Sequence, residues 1–308
     1  MFAAGVTGAS VTDAPTGDSP VTGSCLCGEV SWAIGGAREG RFLRMTHCHC
    51  SYCRKHHGTG FVTFVVAPAD RFSWRSGQAN ISEYASSPSM RRTFCSRCGS
   101  SLPHTTAGGD MAVPAGPLTG SLGLRPQAHI FVGSKAPWTV IADELPRHDA
   151  YPAAIDAPVL STPAARKPSR GGVVRDTVRG SCLCGKVAFE LSAPFQAAHH
   201  CHCSRCRRGR AAAHASNGFA PIDAIRFISG EAALRSYKPP EARRFTQCFC
   251  AGCGCIMPRL DTQRGIVGVP YGSLDDPQDG APQDHIYTAD KAEWFDIRDG
   301  LPCFTQGS

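Results

Sequence analysis

The sequence predicts an all-β chain in which one small metal-binding domain is built twice. Three observations point to this: an internal repeat, short segments rich in β-branched and aromatic residues, and cysteines clustered at metal-ligand spacings. The 308 residues are enough for two domains of ordinary size. Because no segment carries a long helical stripe of apolar residues, we expect helices only as single turns.

The repeat extends through both halves of the chain. Residues 23–30 match residues 180–187 at seven of eight positions, and the patterns F-C-x-x-C-G, V-P-x-G-x-L, H-I-[FY] and K-A-x-W then follow in the same order in each half. A tandem duplication explains this order better than chance. The composition between and before the copies then predicts a disordered tail over 1–20, a first domain over 21–150, a linker over 151–177 and a second domain over 178–306.

The predicted strands are short and separated by glycine and proline. Strand-like patterns occur at 29–34, 61–66, 91–94, 186–191, 225–228 and 294–297. One helical turn is expected after each cysteine run, at 54–57 and 207–210. The expected class is therefore all-β, with small antiparallel sheets held together by metal.

Cysteine usage and charge limit the classes of protein. The N-terminus carries neither the basic nor the apolar region of a signal peptide, and no run reaches the length of a membrane span. We therefore expect a cytoplasmic protein whose 17 cysteines are reduced. A secreted disulfide scaffold is the alternative, but repeated C-x-C and C-x-x-C spacings favour metal binding. The net charge of +7 fits an acidic small molecule and weak nucleic-acid affinity equally well.

Four cysteines in each copy predict a closed structural metal site. They are Cys25, Cys27, Cys95 and Cys98 in the first copy and Cys182, Cys184, Cys250 and Cys253 in the second. Four thiolates complete a tetrahedral zinc shell, and such a shell contributes about 10–16 kcal/mol of apparent folding free energy. Cys248 and Cys255 are interpreted as small buried thiols, and Cys303 is likewise not expected to be a ligand.

A second set of three cysteines in each copy has the C-x-C-x-x-C spacing. The sets are Cys48, Cys50 and Cys53, and Cys201, Cys203 and Cys206. Three protein ligands and one open position are typical of catalytic zinc. The alternative is a structural site completed by a nearby histidine, for which the candidates are His47, His49, His56, His57, His199, His200 and His202. An extended backbone would point His49 and His202 away from the metal.

These motifs together resemble the glutathione-dependent formaldehyde-activating (GFA) family, whose superfamily includes the centromere protein V domain. The residues that carry the resemblance are G-x-C-x-C-G-x-V, C-H-C-S-x-C-R-[KR], F-C-x-x-C-G and H-I-[FY] with K-A-x-W, over about 21–148 and 178–304. The resemblance implies an Mss4-like fold and two zinc ions per domain, hence four per chain. It also implies that the four-cysteine sets bind structural zinc and the three-cysteine sets bind catalytic zinc. The duplication departs from the family's usual single domain.

The activity that the resemblance implies is that of a carbon–sulfur lyase, which joins glutathione to formaldehyde or splits S-(hydroxymethyl)glutathione. The expected partners are thus a small thiol such as glutathione and an aldehyde, with no membrane. Candidate cations beside the thiolates are Arg54, Lys55, Arg207 and Arg208, and candidates for proton transfer are His56, His57 and His214. The alternative function is a non-catalytic zinc module for a protein or nucleic-acid partner. Basic stretches at 91–92, 205–210 and 243–244 favour it, but stacking aromatics among them are sparse.

Overall fold

The computed structural model of the chain describes residues 19–152, 177–278 and 280–307. The predicted tail over 1–20 and the linker over 151–177 lie almost entirely outside these ranges. Those two boundaries therefore stay predictions. Within the described ranges, no helix has the length and apolar character needed to cross a membrane.

The described part of each half consists of short strands, single 3-10 helical turns and one short α-helix. In the first half the strands are β1 (Val21–Ser24), β2 (Ser31–Ile34), β3 (Arg44–Cys48), β4 (Val62–Ala67), β5 (Phe72–Ser76), β6 (Ile81–Ser87), β7 (Met90–Cys95), β8 (His104–Thr105), β9 (Met111–Pro114), β10 (Leu118–Thr119), β11 (Ala128–Ile130) and β12 (Arg147–His148). Helix α1 (Ser51–His57) follows β3.

The second half repeats this order. Its strands are β13 (Val178–Ser181), β14 (Ala188–Leu191), β15 (Ala197–Cys201), β16 (Ala215–Pro221), β17 (Ile225–Ser229), β18 (Leu234–Tyr237), β19 (Gln247–Cys250), β20 (Ile256–Met257), β21 (Arg259–Asp261), β22 (Ile266–Pro270) and β23 (Asp284–Ile286). Helix α2 (Ser204–Arg210) follows β15.

The strands form small sheets with the same plan in each half. A larger sheet has the order β12-β11-β3-β4-β9-β8 in the first half and β21-β22-β16-β15-β23 in the second. Smaller sheets contain β10-β1-β2-β5 and β13-β14-β17, and the remaining strands pair as β6-β7 and β18-β19-β20. Most pairs are antiparallel, whereas β11 and β23 run parallel to β3 and β15. The all-β prediction is confirmed, with parallel pairs in both larger sheets, since β11 also runs parallel to β12.

Most of the predicted strands are present, and two kinds of prediction need correction. The segment 294–297 is not a strand, because Trp294 lies in a turn and its side chain is buried in the core of the other copy. The helices also begin three residues earlier than predicted, at Ser51 and Ser204. Each starts directly after the second cysteine of its C-x-C-x-x-C run.

The C-terminal segment of each copy packs on the other copy. Trp294 joins the hydrophobic core that contains Leu118, and Arg125 forms an ion pair with Asp296 at 3.0 Å. Reciprocally, the ring of Trp138 meets Tyr271 edge-on, with centroids 5.2 Å apart. Neither copy therefore completes its core alone.

A second reciprocal contact shows that the two copies are related by a pseudo-twofold axis. A Cβ atom on Gly99 would lie 2.3 Å from the ring of Phe249, and one on Gly254 would lie 2.4 Å from the ring of Phe94. The two phenylalanine rings are 6.5 Å apart. Because equivalent residues make equivalent contacts in both directions, the interface has the isologous form of a symmetric dimer within one chain.

Candidate metal centres

The fold brings the four predicted structural cysteines of each copy together. Their sulfur atoms lie within 4.8 Å of one another in both clusters. The distance is 3.3 Å from Cys25 to Cys27 and 3.7 Å from Cys27 to Cys95. Metal–sulfur bonds of about 2.3 Å in a tetrahedron require sulfur–sulfur edges of about 3.8 Å. The donors and their spacing therefore fit zinc, and the cluster of Cys182, Cys184, Cys250 and Cys253 has matching distances of 3.4 and 3.7 Å.

Two tight turns build the first four-thiol cluster. After β1 the chain turns back so that the Gly28 amide donates to the Cys25 carbonyl at 3.0 Å, and after β7 the Gly99 amide donates to the Cys95 carbonyl at 2.8 Å. Both glycines have positive φ angles, of 79° and 72°. This backbone region favours glycine, which explains the glycine that follows each cysteine pair.

The extra cysteines of the second copy lie outside the described thiol clusters. Cys255 occupies the position of Ser100, and both side chains accept a hydrogen bond from a backbone amide: Leu26 N to Ser100 Oγ at 3.0 Å and Leu183 N to Cys255 Sγ at 3.3 Å. Cys255 thus replaces a hydroxyl acceptor beside the cluster. Cys248 is buried, and Cys303 is exposed.

The three-cysteine sets converge where a strand ends and a helix begins. Cys48 is the last residue of β3, Cys50 is the N-cap of α1, and Cys53 lies in the first turn. The Cys50 sulfur accepts a hydrogen bond from the Cys53 amide at 3.3 Å, an N-cap contact that orients both side chains. The second copy repeats this geometry with Cys201, Cys203 and Cys206, and all six thiols are buried.

Among the described residues, no histidine joins either three-thiol cluster. His49 is instead hydrogen-bonded to His129 at 2.8 Å, and His129 to Asp143 at 3.0 Å. The second copy has the same chain of contacts, with His202 hydrogen-bonded to His285 at 2.8 Å and His285 to Asp299 at 2.9 Å. In this geometry no histidine nitrogen among the described residues is placed to bind a metal ion held by the three thiols, which argues against the Cys3His alternative.

The predicted cations Lys55 and Arg208 do not lie at the three-thiol clusters. Lys55 forms an ion pair with Asp275 and donates to the Ser181 carbonyl at 2.7 Å, across the interface between the copies. Arg208 makes the reverse crossing and donates to the Cys25 carbonyl at 2.7 Å. These two side chains hold the copies together, because the helices that carry them face the neighbouring copy.

Arg92 on β7 is a buried cation in contact with the first cluster, and sequence reasoning missed it. Its Nη1 donates to the Cys53 sulfur at 3.7 Å, and its guanidinium lies over the Tyr52 ring, 5.6 Å from the centroid. Burial alone would lower the pKa of Arg92, but the neighbouring Cys53 and Cys50 outweigh burial and raise it. The guanidinium is therefore protonated. Only the tertiary fold brings this residue beside the cluster.

The three thiols of each cluster differ in acidity. Hydrogen bonds from Cys48 and Cys50, and next the charge of Arg92, hold the pKa of Cys53 well below its usual range, despite burial. Hydrogen bonds with Cys50 and Cys53 raise the pKa of Cys48. In the second copy the acidic thiol is Cys203, whose pKa falls to about 3 through hydrogen bonds from its two partners. One thiolate is thus favoured in each cluster, and ionising all three requires further positive charge.

The second copy supplies its buried cation from a different element. Gln247 occupies the position of Arg92, whereas Arg210 on α2 occupies the position of His57. Burial lowers the pKa of Arg210 to about 10, and the nearby Cys206 opposes this shift. Its Nη2 donates to Asn217 at 2.9 Å.

A cavity of about 340 Å³ opens onto the first three-thiol cluster. Besides the cysteines, its walls include Arg44, Phe64, Arg92, His104, Phe131 and Tyr151. The cavity therefore offers two guanidinium groups and an aromatic surface beside the sulfur atoms. At the positions of Arg44 and Phe64 the second copy has Ala197 and Asn217, so the two cluster surroundings are chemically different.

A family model matches both halves of the chain. The family model described as glutathione-dependent formaldehyde-activating enzyme matches residues 20–134 and again residues 177–290. No curated protein matches the chain. The chain is similar to a solved Rhodobacter sphaeroides protein at 25% sequence identity, over 41% of this chain and 98% of that one, with a TM-score of 0.27. Since the two matched regions make up most of the sequence, the chain belongs to the glutathione-dependent formaldehyde-activating (GFA) family as a tandem duplication of its domain.

Proposed function

We propose that the chain is a zinc-dependent carbon–sulfur lyase or synthase that acts on a thiol–aldehyde adduct such as S-(hydroxymethyl)glutathione. The observation that carries this proposal is a three-thiol cluster with no fourth protein ligand among the described residues, facing a cavity of about 340 Å³. Membership of the family supports the reaction class. We expect the protein to work in the cytoplasm, where its thiols stay reduced.

Each domain would hold two zinc ions, one in the four-thiol cluster and one in the three-thiol cluster. The four-thiol clusters would be structural, because four sulfur ligands leave no position for a substrate. When bound in a three-thiol cluster, zinc would supply an exchangeable position that lowers the pKa of a substrate thiol.

The side chains around the first cluster have separate tasks in this proposal. Arg92 offsets the negative charge of the cysteine thiolates, and Arg44 attracts a carboxylate of the thiol substrate. Phe64 and Phe131 exclude water from the reacting groups. Burial, and next the charge of Cys48, raise the pKa of Tyr151, so its hydroxyl keeps its proton and serves as a hydrogen-bond donor to the aldehyde oxygen.

The reaction itself is balanced without a further reactant. In the forward direction a bond forms between the substrate sulfur and the aldehyde carbon, the carbonyl π bond breaks, and the oxygen takes up the proton released by the thiol. The reverse direction returns that proton to the sulfur as the carbon–sulfur bond breaks. Holding both reactants in one cavity supplies the proximity that this addition needs.

The alternative is a zinc module that binds a partner without catalysis. Such a module needs structural metal sites but no solvent-connected cavity at an incompletely ligated cluster. The cavity beside Cys48, Cys50 and Cys53 therefore favours the enzyme.

The test combines metal content with turnover in the full-length protein. We expect four zinc ions per chain and activity towards glutathione and formaldehyde. Cys50→Ser should abolish the activity of the first copy, Cys203→Ser that of the second, and the double variant all activity while the fold is retained. Two zinc ions per chain, or full activity in the double variant, would disprove the proposal.

A further inference from the structure

A second cavity lies between the two copies, and none of the cluster cysteines lines it. Its volume is about 140 Å³, and its walls carry six imidazoles: His47, His49, His129, His200, His214 and His285. The charged residues lining it are three carboxylates, Asp143, Asp296 and Asp299, and one guanidinium, Arg298. This excess of carboxylates favours a cation inside the cavity.

Three of these side chains are close enough to share one ion. Ligand atoms of His200, His285 and Asp299 all lie within 4.8 Å of one another. The Nε2 atom of His285 is 2.9 Å from the Asp299 carboxylate, and the rings of His200 and His285 are stacked with centroids 4.9 Å apart. Two imidazole nitrogens and a carboxylate oxygen are therefore gathered in one part of the cavity wall.

The other polar atoms of these three side chains are already held in place. The Nδ1 atom of His200 is hydrogen-bonded to Ser216 at 3.0 Å, and that of His285 to His202 at 2.8 Å. The Asp299 carboxylate accepts a hydrogen bond from the Leu301 amide at 3.2 Å. Fixed outer partners of this kind orient the ligands of metal sites, because they set which ring nitrogen faces the ion.

This arrangement is specific to the second copy, although a pseudo-twofold axis relates the two copies. The counterparts His47, His129 and Asp143 make the same outer hydrogen bonds, but their ligand atoms do not form such a group. Where the first copy has Phe61, the second has His214, whose ring centroid is 4.5 Å from that of His200. The chain of hydrogen bonds from His202 through His285 to Asp299 accounts for the positions of His285 and Asp299. It does not account for the imidazoles of His200 and His214 beside them.

We propose that His200, His285 and Asp299 bind a divalent first-row transition-metal ion in the cavity between the copies. Two imidazoles and one carboxylate are ligands for ions such as Zn²⁺, Co²⁺ and Ni²⁺, in contrast to the thiolate clusters elsewhere in the chain. The ion enters past Asp299, whose side chain is 19% exposed, whereas that of His285 is only 2% exposed. The remaining coordination positions face the cavity and hold water.

The test is a Co²⁺ titration of the full-length protein whose thiol clusters are already saturated with zinc. We expect one further equivalent of Co²⁺ in the wild-type protein and in Asp143→Asn, the matched control from the first copy. Asp299→Asn should weaken this binding at least 100-fold. Asparagine keeps a hydrogen-bond acceptor for His285, so the variant should retain its thermal transition, and His200→Gln serves if it does not.

The absorption spectrum gives a second readout that is independent of activity. The added Co²⁺ should show weak visible bands without the sulfur-to-cobalt charge-transfer bands of a thiolate site. The proposal is overturned if no further equivalent binds, if charge-transfer bands accompany it, or if Asp143→Asn loses it as Asp299→Asn does. None of these outcomes depends on whether the thiol clusters are catalytic.

Discussion

Arg92 and Gln247 occupy equivalent positions in the two copies, yet their side chains point to different partners. Arg92 donates to the Cys53 sulfur of its own copy at 3.7 Å, whereas Gln247 donates to the Cys98 carbonyl of the other copy at 2.8 Å. The same position therefore serves a thiol cluster in the first half and the interface in the second. This difference makes the two clusters separable by mutation.

Arg92→Gln should weaken metal binding at the first three-thiol cluster without unfolding the domain. The variant removes a buried positive charge beside Cys53, and a hydrogen bond to a charged group contributes about 1.5–3 kcal/mol, so metal affinity at this cluster should fall roughly 10- to 100-fold. Chelator competition in a Cys203→Ser background measures it, because only the first copy is then complete. Arg92→Lys, which keeps the charge, should lose less, and equal losses in the two variants would contradict the electrostatic explanation.

Gly99→Ala should destabilise the interface between the copies. Gly99 and Gly28 both have positive φ angles, but only Gly99 would place a Cβ atom against another side chain, 2.3 Å from Phe249. The backbone strain in Gly28→Ala should cost about 1 kcal/mol. Gly99→Ala adds overpacking of about 1–3 kcal/mol to that strain. Denaturant unfolding measures the loss in the free energy of unfolding of each variant. Equal losses would show that Phe249 moves aside for the added methyl group without destabilising the interface.

Removing a ligand should affect stability differently at the two kinds of cluster. Cys98→Ser breaks the four-thiol cluster that joins β1 to β7, and we expect the loss of several kcal/mol and of cooperative unfolding in that copy. Cys50→Ser leaves that cluster intact and should change the free energy of unfolding much less. Thermal unfolding with zinc quantification checks this. If both variants unfold the first copy, the three-thiol cluster is structural.

His104 should make the protein sensitive to mild acid. Burial, and next the charge of Arg92, lower the pKa of His104 to about 4. The pKa of histidine in an unfolded chain is about 6.5, so between about pH 6.5 and 4 the unfolded state binds more protons and stability falls as the pH falls. His104→Gln should reduce the slope of the free energy of unfolding against pH by up to the contribution of one bound proton. Denaturant unfolding of both proteins from pH 7 to 5 measures the difference, and parallel curves would refute it.

Much of the fold was predictable because its signals are local. Cysteine spacing and the turn glycines identified the residues of the four-thiol clusters, and alternation identified strands such as β2 and β14. The segment 294–297 was misassigned because Trp294 and Phe295 are apolar for another reason. They pack on the first copy, and a pattern within the segment does not reveal which surface buries it.

The candidate site was less predictable because several of its groups come from distant parts of the chain. Lys55 and Arg208 each lie only two residues after a cysteine but cross the interface, whereas Arg92 is 39 residues from Cys53 and reaches its sulfur. The sequence did contain one indication: the first copy has an arginine at Arg92 where the second has Gln247, and the second has an arginine at Arg210 where the first has His57. Aligning the two copies position by position shows this compensation, but the partners appear only in the fold.

The contact between Phe61 and His214, with ring centroids 5.5 Å apart, has an evolutionary consequence. In an assembly of two identical chains every substitution occurs twice, so a residue on the symmetry axis always meets its own kind. Gene fusion removes that constraint, because each half can accumulate changes alone. A phenylalanine can then remain as packing on one side while its partner becomes an imidazole, and a new chemical property can arise at the axis without cost to the older sites.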